Sequence, residues 1–178
     1  MPIKKVRFLI LLFSFVFTMS FSQSKKIQEK MTKEIKKTFS IEKFKIDAVL
    51  ISDAINTQLP YKIKPTTFFK IISEDVLLGY AFVDKAPSKT DSFDYLILLD
   101  KNLIVAKIKV LVYREDYGAE IGSKRWLKQF IGKTKKNKLQ YGNNIMAISG
   151  ATISANSMTK AVNRFLKNLE FLYQHKIL

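Results

Sequence analysis

From Thr66 onward, short apolar runs separated by polar breaks dominate the chain. Thr66 to Ile72, Val76 to Asp84, Phe93 to Asp100 and Leu103 to Tyr113 have strand length and are rich in β-branched and aromatic residues. Glu74-Asp75 and Lys101-Asn102 are breaks of hairpin length, and Lys85 to Ser92 is a longer loop containing Pro87. These runs predict sequential antiparallel strands. In the last, Ile104, Ala106, Ile108, Val110 and Val112 alternate with more polar positions, so one face of the sheet is expected to be buried and the other wetter.

The helical period appears in three places. Ile27, Met31 and Ile35 fall four apart among lysines and glutamates, which predicts a helix from about Ser24 to Thr38. A short helix is expected over Lys124 to Ile131. A long one is expected over Ser154 to Tyr173, where Met158, Ala161, Val162, Phe165, Leu166, Leu169 and Leu172 keep three-and-four spacing. Lys43 to Ser52 reads equally as helix or strand. A sheet with one apolar face and helices to cover it implies an α+β fold, a two-layer sandwich of an antiparallel sheet covered by helices on one face.

The first 22 residues follow a different pattern. Lys4, Lys5 and Arg7 precede a charge-free apolar run from Phe8 to Phe21, and Ser20-Phe21-Ser22 offers small residues before Gln23. The run is shorter than the roughly 20 residues of a comfortable membrane span, so 1–22 reads as an export signal peptide and 23–178 as one domain. An uncleaved anchor is the alternative. Both put the domain outside the cytoplasm, in the periplasm or at the outer face of the cytoplasmic membrane.

With hydrophobic residues at 47% of the 178, the chain has the composition of a folded globule. It has no cysteine, which excludes disulfides, thiolate metal sites and a lipid-bearing cysteine, and its one histidine, His175, sits near the end. A histidine-centred catalytic or metal site is therefore not expected. The leader holds three basic and no acidic residues, so its removal lowers the net charge from +16 to +13. Such charge attracts nucleic acid, anionic membrane surfaces or acidic partners. Export and the lack of an aromatic-interleaved basic motif argue against nucleic acid, whereas peripheral membrane contact stays open. Scattered lysines also suit a plain solvated surface.

Candidate chemistry gathers ahead of the long helix, in Ala147-Ile148-Ser149-Gly150-Ala151-Thr152-Ile153-Ser154. Small residues allow a ligand close to the backbone, and the unpaired amides and positive dipole end of a helix favour a phosphate. The same serines and threonine would equally serve as an ordinary helix cap.

At Ser149-Gly150-Ala151-Thr152 the chain resembles the FMN-binding domain family, which includes the flavin-carrying subunits of the sodium-pumping NADH:quinone oxidoreductase and of the Rnf complex. The resemblance extends to Arg114-Glu115-Asp116-Tyr117-Gly118 followed by Trp126 to Lys133, which is similar to a second family region reading Glu-Thr-Pro-Gly before a helix. It implies FMN as cofactor, with its phosphate joined to the Thr152 hydroxyl by a flavin transferase. It also implies Ser149, Gly150 and Ala151 around the phosphate, with Glu115 and Gly118 in a loop facing the ring. Glu115 as a surface acid and Trp126 as core packing are the plainer readings of those residues. The chain departs from the family at Met146, where an aspartate is usual, and at Asp116-Tyr117 in place of Thr-Pro.

The implied function is electron relay in the bacterial envelope, by docking with a membrane-bound redox partner. Alternatives are an FMN-dependent reductase of a small extracytoplasmic substrate and a binding or sensing module without redox work.

Overall fold

A computed structural model describes residues 25–178. The leader expected over 1–22 lies outside the described residues. The chain divides into two compact units, Met1–Glu34 and Ile35–Leu178. Residues 25–39 form helix α1, so the described part of the first unit is entirely helical. Met31 and Ile35 of its apolar stripe are buried. Among the described residues no helix is long and apolar enough to cross a membrane.

The second unit is built on a five-stranded antiparallel sheet in sequential order: β1 (Lys45–Ala48), β2 (Phe68–Ser73), β3 (Val76–Pro87), β4 (Ser92–Asp100) and β5 (Val105–Val112). Each turn has a local cause. Glu74 and Asp75 both take positive φ, 49° and 59°, the twist that lets a two-residue hairpin match its strands. Asp100 closes the β4–β5 turn by accepting from the amides of Asn102 and Ile104, both at 2.9 Å. The ambiguous Lys43 to Ser52 segment holds β1, which pairs with β2 and is exposed along its whole length. Ser52 then caps the short helix α2 (Asp53–Gln58).

The remaining helices are α3 (Lys124–Leu127), which continues as a 3-10 turn over Lys128–Phe130, and α4 (Thr152–Gln174). Together they match the helices expected at Lys124 to Ile131 and Ser154 to Tyr173. Helix α4 lies on the sheet through aromatic rings: Phe165 stacks on Phe82 at 4.0 Å between centroids and meets Phe68 edge-on at 5.3 Å. Such pairs add about 0.5–1.5 kcal/mol each beyond the area they bury.

The α+β sandwich is thus as the sequence implies, with two local features it conceals. Alternation along β5 is broken by register shifts opposite Asp94/Tyr95 and Leu98/Leu99, so the buried residues are Val105, Ile108 and Leu111 rather than every second position. A bulge adds one residue and turns the following side chains to the other face. At the centre, Phe93 to Leu99 of β4 are buried without interruption, so the sheet's second face is covered there too. Phe39 lies on that second face, where its ring would meet a Cβ on Gly79 at 3.0 Å.

Candidate functional site

Helix α4 begins at Thr152, two residues before the expected start, and that shift decides the character of its end. The capping position falls on Ala151, which has no polar atom to offer, and no side chain among the described residues caps the helix. The simple helix-cap reading of the serines and threonine therefore does not hold. The Thr152 hydroxyl turns back toward the Ile148 carbonyl in a long 3.5 Å bond and is exposed. Ser149 and Gly150 are also exposed, with Gly150 at φ +79° forming the turn into the helix. What results is a helix N-terminus without a side-chain cap among the described residues, beside three accessible small or hydroxyl-bearing residues, an arrangement suited to an anion.

The loop after β5 meets this turn at Gly118. A Cβ there would lie 3.3 Å from both the Ala151 Cβ and the Gly150 carbonyl oxygen. The contact is fixed by hydroxyls: Tyr113 donates to the Tyr117 carbonyl at 3.0 Å and accepts from buried Ser154 at 3.1 Å. Below it, Arg114 pairs with buried Asp94 and donates to the Ser92 carbonyl at 2.9 Å. Gly118 is thus brought to the Ser149–Thr152 motif.

Glu115 is engaged elsewhere. Its carboxylate accepts from the Thr90 amide (2.6 Å), the Thr90 hydroxyl (2.8 Å) and the Asp91 amide (3.1 Å), stapling the β3–β4 loop. The Ser88 hydroxyl, which stops short of a full hydrogen bond among the described residues, acts with these Thr90 and Asp91 groups to hold the Glu115 carboxyl down at about 2.

Met146 stands where the motif usually carries aspartate, and its side chain is 62% exposed. Its backbone is pinned on both sides: the Trp126 indole donates to its carbonyl at 2.8 Å, and its amide donates to Gln129 at 2.7 Å. Trp126 is buried in the core beside Phe130, so packing and this one bond define it. His175 stacks on Phe171 at the exposed end of α4.

Thr152 also opens onto a cleft of about 650 Å³, within the usual range of roughly 300–1,000 Å³ for small-molecule sites. Its floor is one face of α4, where Thr152, Asn156, Lys160, Arg164 and Asn168 recur every four residues. Its far wall comes from the end of β3 and from Tyr61 to Ile63. Two asparagines fix that wall: Asn168 brackets the Tyr61 backbone, and Asn56 brackets that of Ile63 with two 2.9 Å bonds. Burial raises the carboxyl of Asp84 in this cleft, against the lowering pull of Lys64 and Arg164. Sequence reasoning missed Asp84, Lys160 and Arg164. The four-residue polar repeat after Thr152 was the available signal for the last two, whereas nothing local marks Asp84.

Among curated proteins none matches the chain. Residues 91–167 match the FMN-binding domain, and this stretch contains β4, β5, the Gly118 loop, the Ser149–Thr152 motif and most of α4. Residues 91–167 are thus similar to the FMN-binding domain family, and the domain they match indicates FMN as the cofactor.

Proposed function

We propose that this chain is an exported flavoprotein that holds FMN through a phosphoester to Thr152 and relays electrons in the periplasm or at the outer face of the cytoplasmic membrane. The observation that carries the reading is the exposed Thr152 hydroxyl in the first turn of an uncapped helix, opening onto a cleft of ligand size.

When bound, FMN supplies the redox chemistry, and the protein binds, orients and shields it. The α4 amides and the Ser149 hydroxyl hold phosphate oxygens. Gly150 and Ala151 let the phosphate reach the backbone, and Thr152 is an anchor with no part in proton or electron transfer. The Gly118 loop, fixed through Tyr113 and Ser154, closes one side of the motif. A flavin transferase would make the bond from a flavin dinucleotide: the Thr152 oxygen takes the FMN phosphorus, the bond to the second phosphate breaks, and a nucleoside monophosphate leaves. A membrane-bound redox partner then exchanges electrons, because a tethered flavin cannot leave and the carrier itself must dock.

The test is co-expression with a flavin transferase followed by a denaturing gel. Flavin fluorescence should travel with the protein band and vanish in Thr152→Val, which keeps the shape and removes the hydroxyl. Colour lost entirely on denaturation would defeat covalent attachment.

The cleft is the observation that favours a second reading, an FMN-dependent reductase of a small extracytoplasmic substrate. That reading needs the cleft to admit a second molecule after FMN is loaded. An ordinary binding module, by contrast, would have no use for a phosphoester-ready hydroxyl.

A further inference from the structure

We propose that the cleft along α4 receives the isoalloxazine ring itself, pyrimidine edge toward Asp84 and Arg164, making Arg164 and Lys160 flavin-binding residues. The proposal rests on the FMN reading above and adds to it where the ring lies and which groups set its properties.

Placement comes first. At 1.5 Å per residue, the 12 positions from Thr152 to Arg164 carry the floor about 18 Å along α4. The cleft therefore starts at the anchoring hydroxyl and runs away from it in one direction, as a tethered chain ending in a flat ring requires. Lys160 and Arg164 both lie on this floor and both are exposed at the helix surface.

Chemistry comes second. The pyrimidine edge of a flavin offers acceptor, donor, acceptor in the order C2=O, N3–H, C4=O. The cleft places one carboxylate, that of Asp84, among the cations Lys62, Lys85, Lys160 and Arg164, and Asp84 lies near enough to Arg164 to feel its charge. A carboxylate among cations complements that edge in a way that a site for a simple anion would not need. The Arg164 guanidinium is already oriented, 5.1 Å from the centroid of the Tyr61 ring, and Tyr61 is itself held by Asn168. A preorganised donor loses less freedom on binding.

Lys62, Asp84 and Lys85 precede the matched stretch 91–167, so this wall is contributed by the chain outside it. Cations beside the ring's carbonyls would favour the reduced, more negative flavin and raise its midpoint potential.

Riboflavin is the probe, because it has the ring and ribityl chain but no phosphate, so its binding is independent of any bond to Thr152. Titrated into the full-length protein without FMN, it should show saturable fluorescence quenching. Arg164→Gln should weaken the affinity about tenfold and Lys160→Gln less. Lys167→Gln, an exposed cation of α4 outside the cleft, should leave it unchanged. In FMN-loaded protein, Arg164→Gln should also lower the two-electron midpoint potential by about 30 mV, the equivalent of a tenfold change in preference for the reduced form. Unsaturable quenching, or affinity and potential indifferent to both cleft variants, would overturn the ring's placement. Fluorescence retained on the denaturing gel in that case would show that the attachment at Thr152 stands while the ring lies elsewhere.

Discussion

Gly118 lies so close to Ala151 that a Cβ on the glycine would sit 3.3 Å from the alanine's own and 2.8 Å from the Tyr113 hydroxyl oxygen. Its φ of +84° is also a conformation that side chains rarely adopt. Gly118→Ala should therefore cost about 2–3 kcal/mol, combining backbone strain with displacement of the Tyr113–Ser154 link. Gly132→Ala serves as the control, since Gly132 has φ +79° with nothing within 4 Å among the described residues and should show only the strain, about 1 kcal/mol. Urea denaturation midpoints at constant slope measure both, and equal losses would mean that the contact with Ala151 carries no energy.

The second prediction concerns Met146, whose side chain is exposed while its backbone is held by Trp126 and Gln129. Met146→Asp should fold as well as the parent, because no packed group is lost. Under limiting transferase it should raise the fraction of protein carrying FMN, by restoring the carboxylate usual in the motif. Intact mass at timed intervals reads this directly. Identical loading rates would show that aspartate is dispensable in this chain.

Much of this architecture was legible in the sequence because its causes are local. The Glu74-Asp75 break lies where the hairpin forms, and the uninterrupted apolar spacing from Met158 to Leu172 marks α4. The motif at Ser149–Thr152 was legible for the same reason. What stayed hidden depends on partners distant in sequence. β1 has no buried face of its own and exists by pairing with β2. The β5 bulges show only in register with β4. Glu115 reads like part of the Gly118 loop, yet its partners are Thr90 and Asp91, some 25 residues earlier. Asp84 enters the cleft because β3 runs beneath α4, a relation no window along the chain contains.

Trp126 supplies a third test. Trp126→Phe keeps an aromatic ring against Phe130 but leaves the Met146 carbonyl without its donor, which should cost about 1–3 kcal/mol. The segment leading to Ser149 should loosen with it, seen as faster hydrogen exchange at residues 145–148. Unchanged exchange alongside lowered stability would assign Trp126 to packing alone.

Acid should act through Glu115. Its carboxyl, held at about 2 instead of the ordinary 4.5, binds its proton less readily in the folded chain than in the unfolded one. The stabilisation it provides is therefore complete above about pH 4.5 and drains away as pH falls toward 2. The Thr90 and Asp91 amides should lose exchange protection over that window. Glu115→Gln should remove most of this pH dependence while lowering protection at neutral pH. A carboxyl titration midpoint near 4.5 would show that the staple is not formed in solution.

The last prediction concerns docking. Weak redox encounters bury little area and rely on long-range charge for their rate, and the domain beyond the expected leader carries a net +13. Lys62, Lys85, Lys160 and Arg164 place part of that charge at the cleft onto which Thr152 opens. An acidic partner would thus be drawn to the face where electrons leave or enter. At 0.15 M ionic strength the Debye length is about 8 Å, so steering over longer distances weakens as salt rises. Reduction of the loaded protein by a detergent-solubilised membrane donor should slow several-fold between tens of millimolar and molar salt. Arg164→Gln and Lys160→Gln should flatten that dependence more than Lys167→Gln, which removes the same charge away from the cleft. If the lysines serve only solubility or attraction to anionic lipid, the rate with the solubilised donor will stay nearly flat. That result would remove the steering while leaving the FMN assignment untouched, since the affinity of the cleft for the ring does not depend on how the partner arrives.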